Sequence, residues 1–461
     1  MSEVRILPGA PRGTLFEPFR RAGAGRRVGA LWKMAARKEF ADLNVGREDR
    51  RLARRLTTPD AVVIGVGAMV GAGVFAAPGP AAAAAGTWLL VGLALAAAVA
   101  YANATSSAQL AALYPEAGGT YVYARERLGD YWGFLAGWGF VVGKTASLTA
   151  MALTFGSYVN PELARPLGIG AVVTMTAVNY RGVERTARFT RIIVALVLAT
   201  LAMTVAASLL GGHAAGGNLT AELPNGVWGV LRSAGLLFFA FAGYARLATL
   251  GEEVREPQTV IPKAIPLALG VVVIVYAVVL SAALAAVGPE RLAGAPAPLA
   301  VAVGAGRWAV LTPVVRVGAA VASAGVLLSL LAGVSRTVLS MARRRELPGF
   351  LDAVHHRHRT PHRAELAVAV VVCAVALFAD LREAIGFSSF AVLTYYALTN
   401  ASAWTLTDAE RRWPRWLAGV GLGLCMLLAF TLPFVAVIGG LALLATGSVV
   451  WLGTRPLSPD G

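Results

Sequence analysis

Cysteine is almost missing. Only Cys373 and Cys425 occur among 461 residues, both inside apolar runs, which leaves no disulfide framework and no thiolate zinc site. Charge is scarce as well: Asp, Glu, Lys and Arg make up 14% of the chain and apolar residues 57%, against about 25% and about 45–50% in ordinary globular proteins. A soluble assembly cannot hide that much hydrocarbon. No secretory h-region precedes the first long apolar run, so no cleaved leader is expected. No nucleophile, base and orienting group stand at workable spacing, so neither an enzyme nor a cofactor is expected.

Acidic residues are the rarer of the charged pair, 25 against 41 Lys and Arg, for a net charge of +16. A nucleic-acid binder would account for such a balance, but the basic residues fall in short clusters between apolar runs, which fits membrane orientation instead. Residues 1–56 carry 14 Lys/Arg and 6 Asp/Glu and no long apolar stretch. They read as a basic cytoplasmic arm drawn to anionic lipid, with Met34 as an alternative initiator.

From Pro59 onward the apolar runs predict twelve membrane helices, at about 60–84, 87–112, 131–158, 167–180, 190–210, 228–251, 264–287, 311–341, 364–380, 384–405, 414–430 and 433–452. Eleven is the alternative count. With twelve spans, 33 Lys/Arg fall on the side of the N-terminus and 6 on the other, leaving Lys144 and Arg246 inside spans. By the positive-inside rule both termini are cytoplasmic in a multi-pass cell-membrane protein. The expected organisation is a tail (1–56), a ten-helix core (57–405, in halves of about 57–210 and 228–405), two added helices (406–453) and a cytoplasmic C-terminus (454–461).

Within the first span, Ile64-Gly-Val-Gly-Ala-Met-Val-Gly-Ala-Gly-Val-Phe75 places four glycines in nine residues, Gly65, Gly67, Gly71 and Gly73. Each costs about 1 kcal/mol in a helix interior relative to alanine, so unwinding there is cheap. Bare backbone at bilayer depth is tolerated only where it lines a cavity or is buried in protein. Close helix packing through Gly67-xxx-Gly71 is the competing explanation. A dinucleotide fingerprint fails, because its spacing needs glycine at Val70.

The sixth span supplies a second interruption, Phe238-Phe-Ala-Phe-Ala-Gly-Tyr-Ala-Arg-Leu247, with Gly243 among aromatics and Arg246 less than a turn beyond. Paired interruptions in corresponding helices point to a transporter site built from two inverted repeats. Spans one and six are five apart, the offset of a five-plus-five repeat.

Gly67-Ala-Met-Val-Gly-Ala-Gly-Val-Phe75, Tyr114-Pro-Glu-Ala-Gly-Gly-Thr-Tyr121, Phe239-Ala-Phe-Ala-Gly-Tyr244 with Gly251-Glu-Glu-Val-Arg-Glu-Pro257, and Arg336 with Met341-Ala-Arg-Arg-Arg-Glu-Leu-Pro348 occur in this order. Together they resemble the signatures of the amino acid–polyamine–organocation permeases, over about residues 57–452. The resemblance implies an all-α, leucine-transporter-type fold of ten core helices in two inverted halves plus two more. It also implies a midplane site for an amino acid. There the carboxylate meets amides around Gly71, Ala72 and Gly73, and the amino group meets carbonyls of Phe239, Ala240 and Ala242 beside Gly243. Glu116, Gly118 and Gly119 fall in the inner gate region by the same likeness.

Lys144 stands near the middle of the third span, where an ionised lysine costs at least about 2.5–3.5 kcal/mol and is by default a functional group. Two readings stay open: a proton-coupling group, or a fixed cation standing in for a metal ion. Some proton-coupled members of the resembled family carry their lysine in the fifth helix, where this chain has Val197. Many cation-selecting members have an acid where this chain has Ala245. The second departure makes a neutral amino acid the favoured cargo, with an anionic one still open; the first removes the usual coupling lysine and leaves Lys144 as its replacement if, as expected, a proton is the coupling ion. Sodium coupling, exchange of amino acids or polyamines, and a non-transporting sensor are the rivals. Arg246 has Glu252 and Glu253 as candidate partners. His355-His-Arg-His358 with His362 has the composition of a metal-binding tract, but its flanking arginines favour a solvated basic loop near anionic lipid.

Overall fold

The computed structural model describes residues 56–114, 118–182, 187–219, 223–248 and 254–454. Among these residues every regular element is a helix, and one isolated parallel bridge joins Leu56 to Val254. The expected basic arm, Glu116, Glu252 and Glu253 lie outside the described residues.

The first span is three helices, not one: α1 (Thr58–Met69), α2 (Ala72–Ala76) and α3 (Pro78–Ala85). The Asp60 carboxylate starts α1 by accepting from the Thr57 amide at 3.1 Å and the Thr57 hydroxyl at 2.7 Å, which supplies acceptors at an N-terminus whose amides lack partners. Then follow α4 (Leu89–Leu113), α5 (Thr120–Leu128), α6 (Asp130–Val159), α7 (Ala164–Tyr180) and α8 (Ala187–Leu210). The sixth span divides into α9 (Gly226–Phe241) and α10 (Ala245–Ala248), joined by a 3-10 turn at Ala242–Tyr244. Beyond it lie α11 (Pro257–Gly294, bent where Gly288 takes φ +74°) and α12 (Pro298–Gly304). The chain continues through α13 (Thr312–Arg343), α14 (His362–Phe378), α15 (Leu381–Trp404), α16 (Arg415–Thr431) and α17 (Phe434–Thr454).

Helices thus lie over each of the twelve predicted segments, while α5 and α12 are additional short helices in connections. Among the described residues, seven stretches are long and apolar enough to cross a membrane, from Thr58–Ala76 to Phe434–Gly453. Three of the remaining segments, α7, α14 and α16, have only 17 residues each, about 26 Å of helix against a hydrocarbon core of about 30 Å.

Packing falls into two groups. In one, α4 and α11 hold α1, α3 and α9; in the other, α6, α7, α13 and α14 pack on one another. Helix α15 touches both, through α6 on one side and through α4 and α9 on the other. The broken helices therefore lie mainly with the first group, and α2 reaches across to α6 and α13.

Candidate functional site

The first break is an unwinding. At Val70 ψ turns to +59°, and Gly71 (φ −111°, ψ −144°) precedes the first residue of α2. The opening amides of α2 are left without a preceding helical turn to receive them. A Cβ on Gly71 would lie 2.3 Å from Val326 Cγ2 of α13. The second break is tighter, since the 3-10 turn at Ala242–Tyr244 carries α9 into α10 without opening the chain. Its carbonyls come from the end of α9. The two breaks therefore present opposite polarity, amides at the start of α2 and carbonyls at the end of α9, the positive and negative ends of helix dipoles.

The fold brings these two ends together. A Cβ on Gly73 would lie 2.6 Å from Ala240 Cα, and one on Gly243 would lie 2.1 Å from the Ala68 carbonyl oxygen. Glycine is required at both positions because the opposing atoms are backbone, which cannot rotate aside. Ala72, Phe239, Ala240 and Ala242 are all buried.

Three tyrosines from distant helices rest on the backbone of the breaks. Tyr276 of α11 places its hydroxyl 2.6 Å from the Met69 carbonyl and 3.1 Å from the Ala240 carbonyl. Tyr158 of α6 donates to Phe75 O at 3.0 Å and accepts from Leu299 N at 3.2 Å, tying α2 to the start of α12. Tyr396 of α15 donates to Ala242 O at 3.4 Å and stacks on Tyr244 with ring centroids 4.8 Å apart. Buried Asn103 of α4 accepts from Asn400 Nδ2 at 2.5 Å and from Cys425 Sγ at 3.2 Å, which gives Cys425 a structural role. The sequence reading found none of these tyrosines.

Lys144 lies midway along the 30-residue α6 and is 8% exposed. The adjacent turn is braced on α15, with Gly143 against Ala391 and Ser147 Oγ 2.6 Å from Ser388 Oγ. No hydrogen bond or ion pair reaches Lys144 from the described residues, so the structure does not join it to either break as it joins the breaks to each other. Tyr158, which does touch α2, lies 14 residues further along the helix, about 21 Å.

Gly118 and Gly119, expected from the resemblance at the inner gate, have positive φ, +147° and +57°, and lead into α5. This short helix is clamped at its own end of the molecule by two ion pairs. Glu346, after α13, pairs with Arg125 and accepts from Tyr121 Oη at 2.7 Å. Glu410 takes both guanidinium nitrogens of Arg127, at 2.6 and 3.1 Å. That fork, with a Thr407 amide and hydroxyl behind it, holds the Glu410 carboxyl at about 2, below its ordinary 4.5. Arg412 bonds Gln258 O at 2.6 Å.

A cleft of about 490 Å³ opens at the same end, lined by Ala112, Leu113, Arg255, Glu256 and Gln258. Another of about 170 Å³ lies at the opposite end, among Pro80, Asn225, Arg232, Arg382 and Pro433. Neither is lined by a residue of the breaks. The histidine tract folds into a turn in which His355 Nδ1 accepts from the amides of Arg357 and His358, both at 3.2 Å. Among the described residues no cluster of His, Cys, Asp or Glu is arranged to hold a metal ion.

The described residues thus form helices, several of membrane length and two of them interrupted against one another, which is the build of the membrane transporters to which the family match assigns the chain. The chain belongs to the amino acid permease family, whose model matches residues 56–453. It is 58% identical over 398 residues to an uncharacterized transporter of Mycobacterium tuberculosis, covering 86% of this chain and 90% of that protein. It is also similar to two proteins of Bacillus subtilis. One is a branched-chain amino acid permease, 25% identical over 439 residues (87% of this chain, 93% of that one). The other is a methylthioribose transporter, 26% identical over 449 residues (90% and 96%).

Proposed function

We propose that the chain carries a neutral amino acid across the cell membrane by alternating access, coupled to protons, with both termini in the cytoplasm and a leucine-transporter-type arrangement of its helices. The observation that carries this reading is the meeting of the two breaks, the start of α2 against the end of α9 with Gly73 packed on Ala240. A zwitterion is the small molecule whose two charges match that pair of ends. Its carboxylate goes to the amides around Gly71, Ala72 and Gly73. Its ammonium goes to the carbonyls of Phe239, Ala240 and Ala242, beside Gly243.

The surroundings favour an uncharged side chain. Val326 faces Gly71, and Ala245 occupies the position where an acid would recognise a cationic cargo. The similarity to a branched-chain amino acid permease points the same way. Transport follows from rocking α1, α2, α9 and α10 against the group containing α6 and α13, with Gly118, Gly119 and Glu116 at the inner gate. Lys144, buried and without a described partner, is the proton-coupling group.

Purified protein in liposomes tests this. Labelled leucine should accumulate down an imposed proton gradient, and preloaded unlabelled leucine should accelerate labelled entry. Lys144→Met should abolish proton-driven accumulation and retain exchange. Uptake that follows a sodium gradient would replace the coupling ion. Silence in countertransport with every neutral amino acid would leave a sensor as the better reading.

A further inference from the structure

Tyr276 sits in the apolar run of α11, is 2% exposed, and packs its ring 5.1 Å from that of Phe241. Its hydroxyl has one proton and faces two carbonyl oxygens, Met69 of the first break at 2.6 Å and Ala240 of the second at 3.1 Å. One proton cannot serve both acceptors fully. The Met69 oxygen also receives the Gly71 amide at 2.7 Å, so the phenol lies against a backbone bend that is already hydrogen-bonded within itself.

We propose that Tyr276 is a positioning residue that ties the two breaks together in the empty carrier, and that the ammonium group of the substrate takes its place at the Ala240 carbonyl. This rests on the reading of the breaks as the amino acid site. An ammonium brings three protons and a full charge, and a charge-assisted hydrogen bond is roughly twice as strong as a neutral one. The cargo therefore wins Ala240, and the phenolic proton settles wholly on Met69, the nearer acceptor. The loaded carrier is bridged by its cargo. In the empty carrier the hydrogen-bonded bridge is Tyr276, so the return of the empty carrier depends on this hydroxyl and the crossing of the loaded one does not.

The full-length protein in liposomes distinguishes the two steps, with leucine as the probe. Net uptake requires the empty carrier to return, whereas countertransport under saturating leucine on both sides does not. Tyr276→Phe should lower net uptake by about tenfold, the effect of one lost hydrogen bond to a buried carbonyl, while countertransport stays within about twofold. Without substrate, amide hydrogen exchange should accelerate in residues 70–74 and in 242–244 together. Tyr396→Phe, which removes the hydroxyl on Ala242, should accelerate 242–244 alone.

Equal loss of net uptake and countertransport in Tyr276→Phe would overturn the proposal, as would acceleration confined to one break or absent from both. Wild-type protein silent in leucine countertransport would overturn the substrate reading and the displacement with it. Hydrogen exchange in the two breaks would still decide the tether.

Discussion

The two interruptions solve one problem by different means. In the first span the chain opens because glycine makes opening cheap: Val70 and Gly71 leave helical geometry and α2 starts afresh. In the sixth the chain narrows into a 3-10 turn, and aromatic rings hold it, with Tyr244 stacked on Tyr396 and Phe238 edge-on to Tyr396 at 5.8 Å. The first break is thus a property of its own sequence, whereas the second depends on what surrounds it. The glycines differ accordingly. Gly71 confronts a side chain, Val326, while Gly243 confronts a carbonyl, that of Ala68.

That difference predicts an order of damage. Gly243→Ala should be the most harmful change, because its Cβ would meet backbone at 2.1 Å. Overpacking that nothing can relieve costs about 3 kcal/mol, and leucine uptake should vanish in protein that still inserts. Gly71→Ala should cost less, roughly 1–2 kcal/mol, because Val326 can give way. Adding Val326→Ala should restore thermal stability. Failure of that rescue, or a Gly243→Ala protein as stable as wild type, would erase the distinction between the breaks.

Tyr158→Phe should follow, at about 1 kcal/mol for the lost bond to Phe75 O, read as a lower unfolding temperature in detergent. The smallest effect belongs to the clamp on α5. Glu410 titrates at about 2 in the folded protein and near 4.5 when unconstrained. Its contribution is therefore complete above about 4.5 and is lost as pH falls from there toward 2. Glu410→Gln should lower the neutral-pH unfolding temperature slightly, leave the value near pH 2 unchanged, and so remove that part of the acid sensitivity.

Both breaks were legible from residue type, since four glycines crowd nine residues of one apolar span and Gly243 stands among aromatics, followed by Arg246, in the other. The narrow shape of the second turn was not foreseen, because nothing in Phe239-Ala-Phe-Ala-Gly-Tyr244 distinguishes a 3-10 turn from an open loop. The tyrosines escaped notice for a different reason. Tyr276 lies 207 residues from Met69, and a lone phenol in an apolar helix carries no local mark of the carbonyl it will meet. Helices α5 and α12 were missed because they are 9 and 7 residues long, too short for a helical period to stand out.

Among the described residues, Leu56 and Val254 form the single bridge outside the helices, with Arg255 N donating to Leu56 O at 3.2 Å. The strand-like splice is made of main chain, so exchanging the side chains on either partner leaves it intact. Drift in sequence can recolour this corner without unlashing the entrance of one interrupted rod from the exit of the other. A proline at position 255 would delete the donor of that bond.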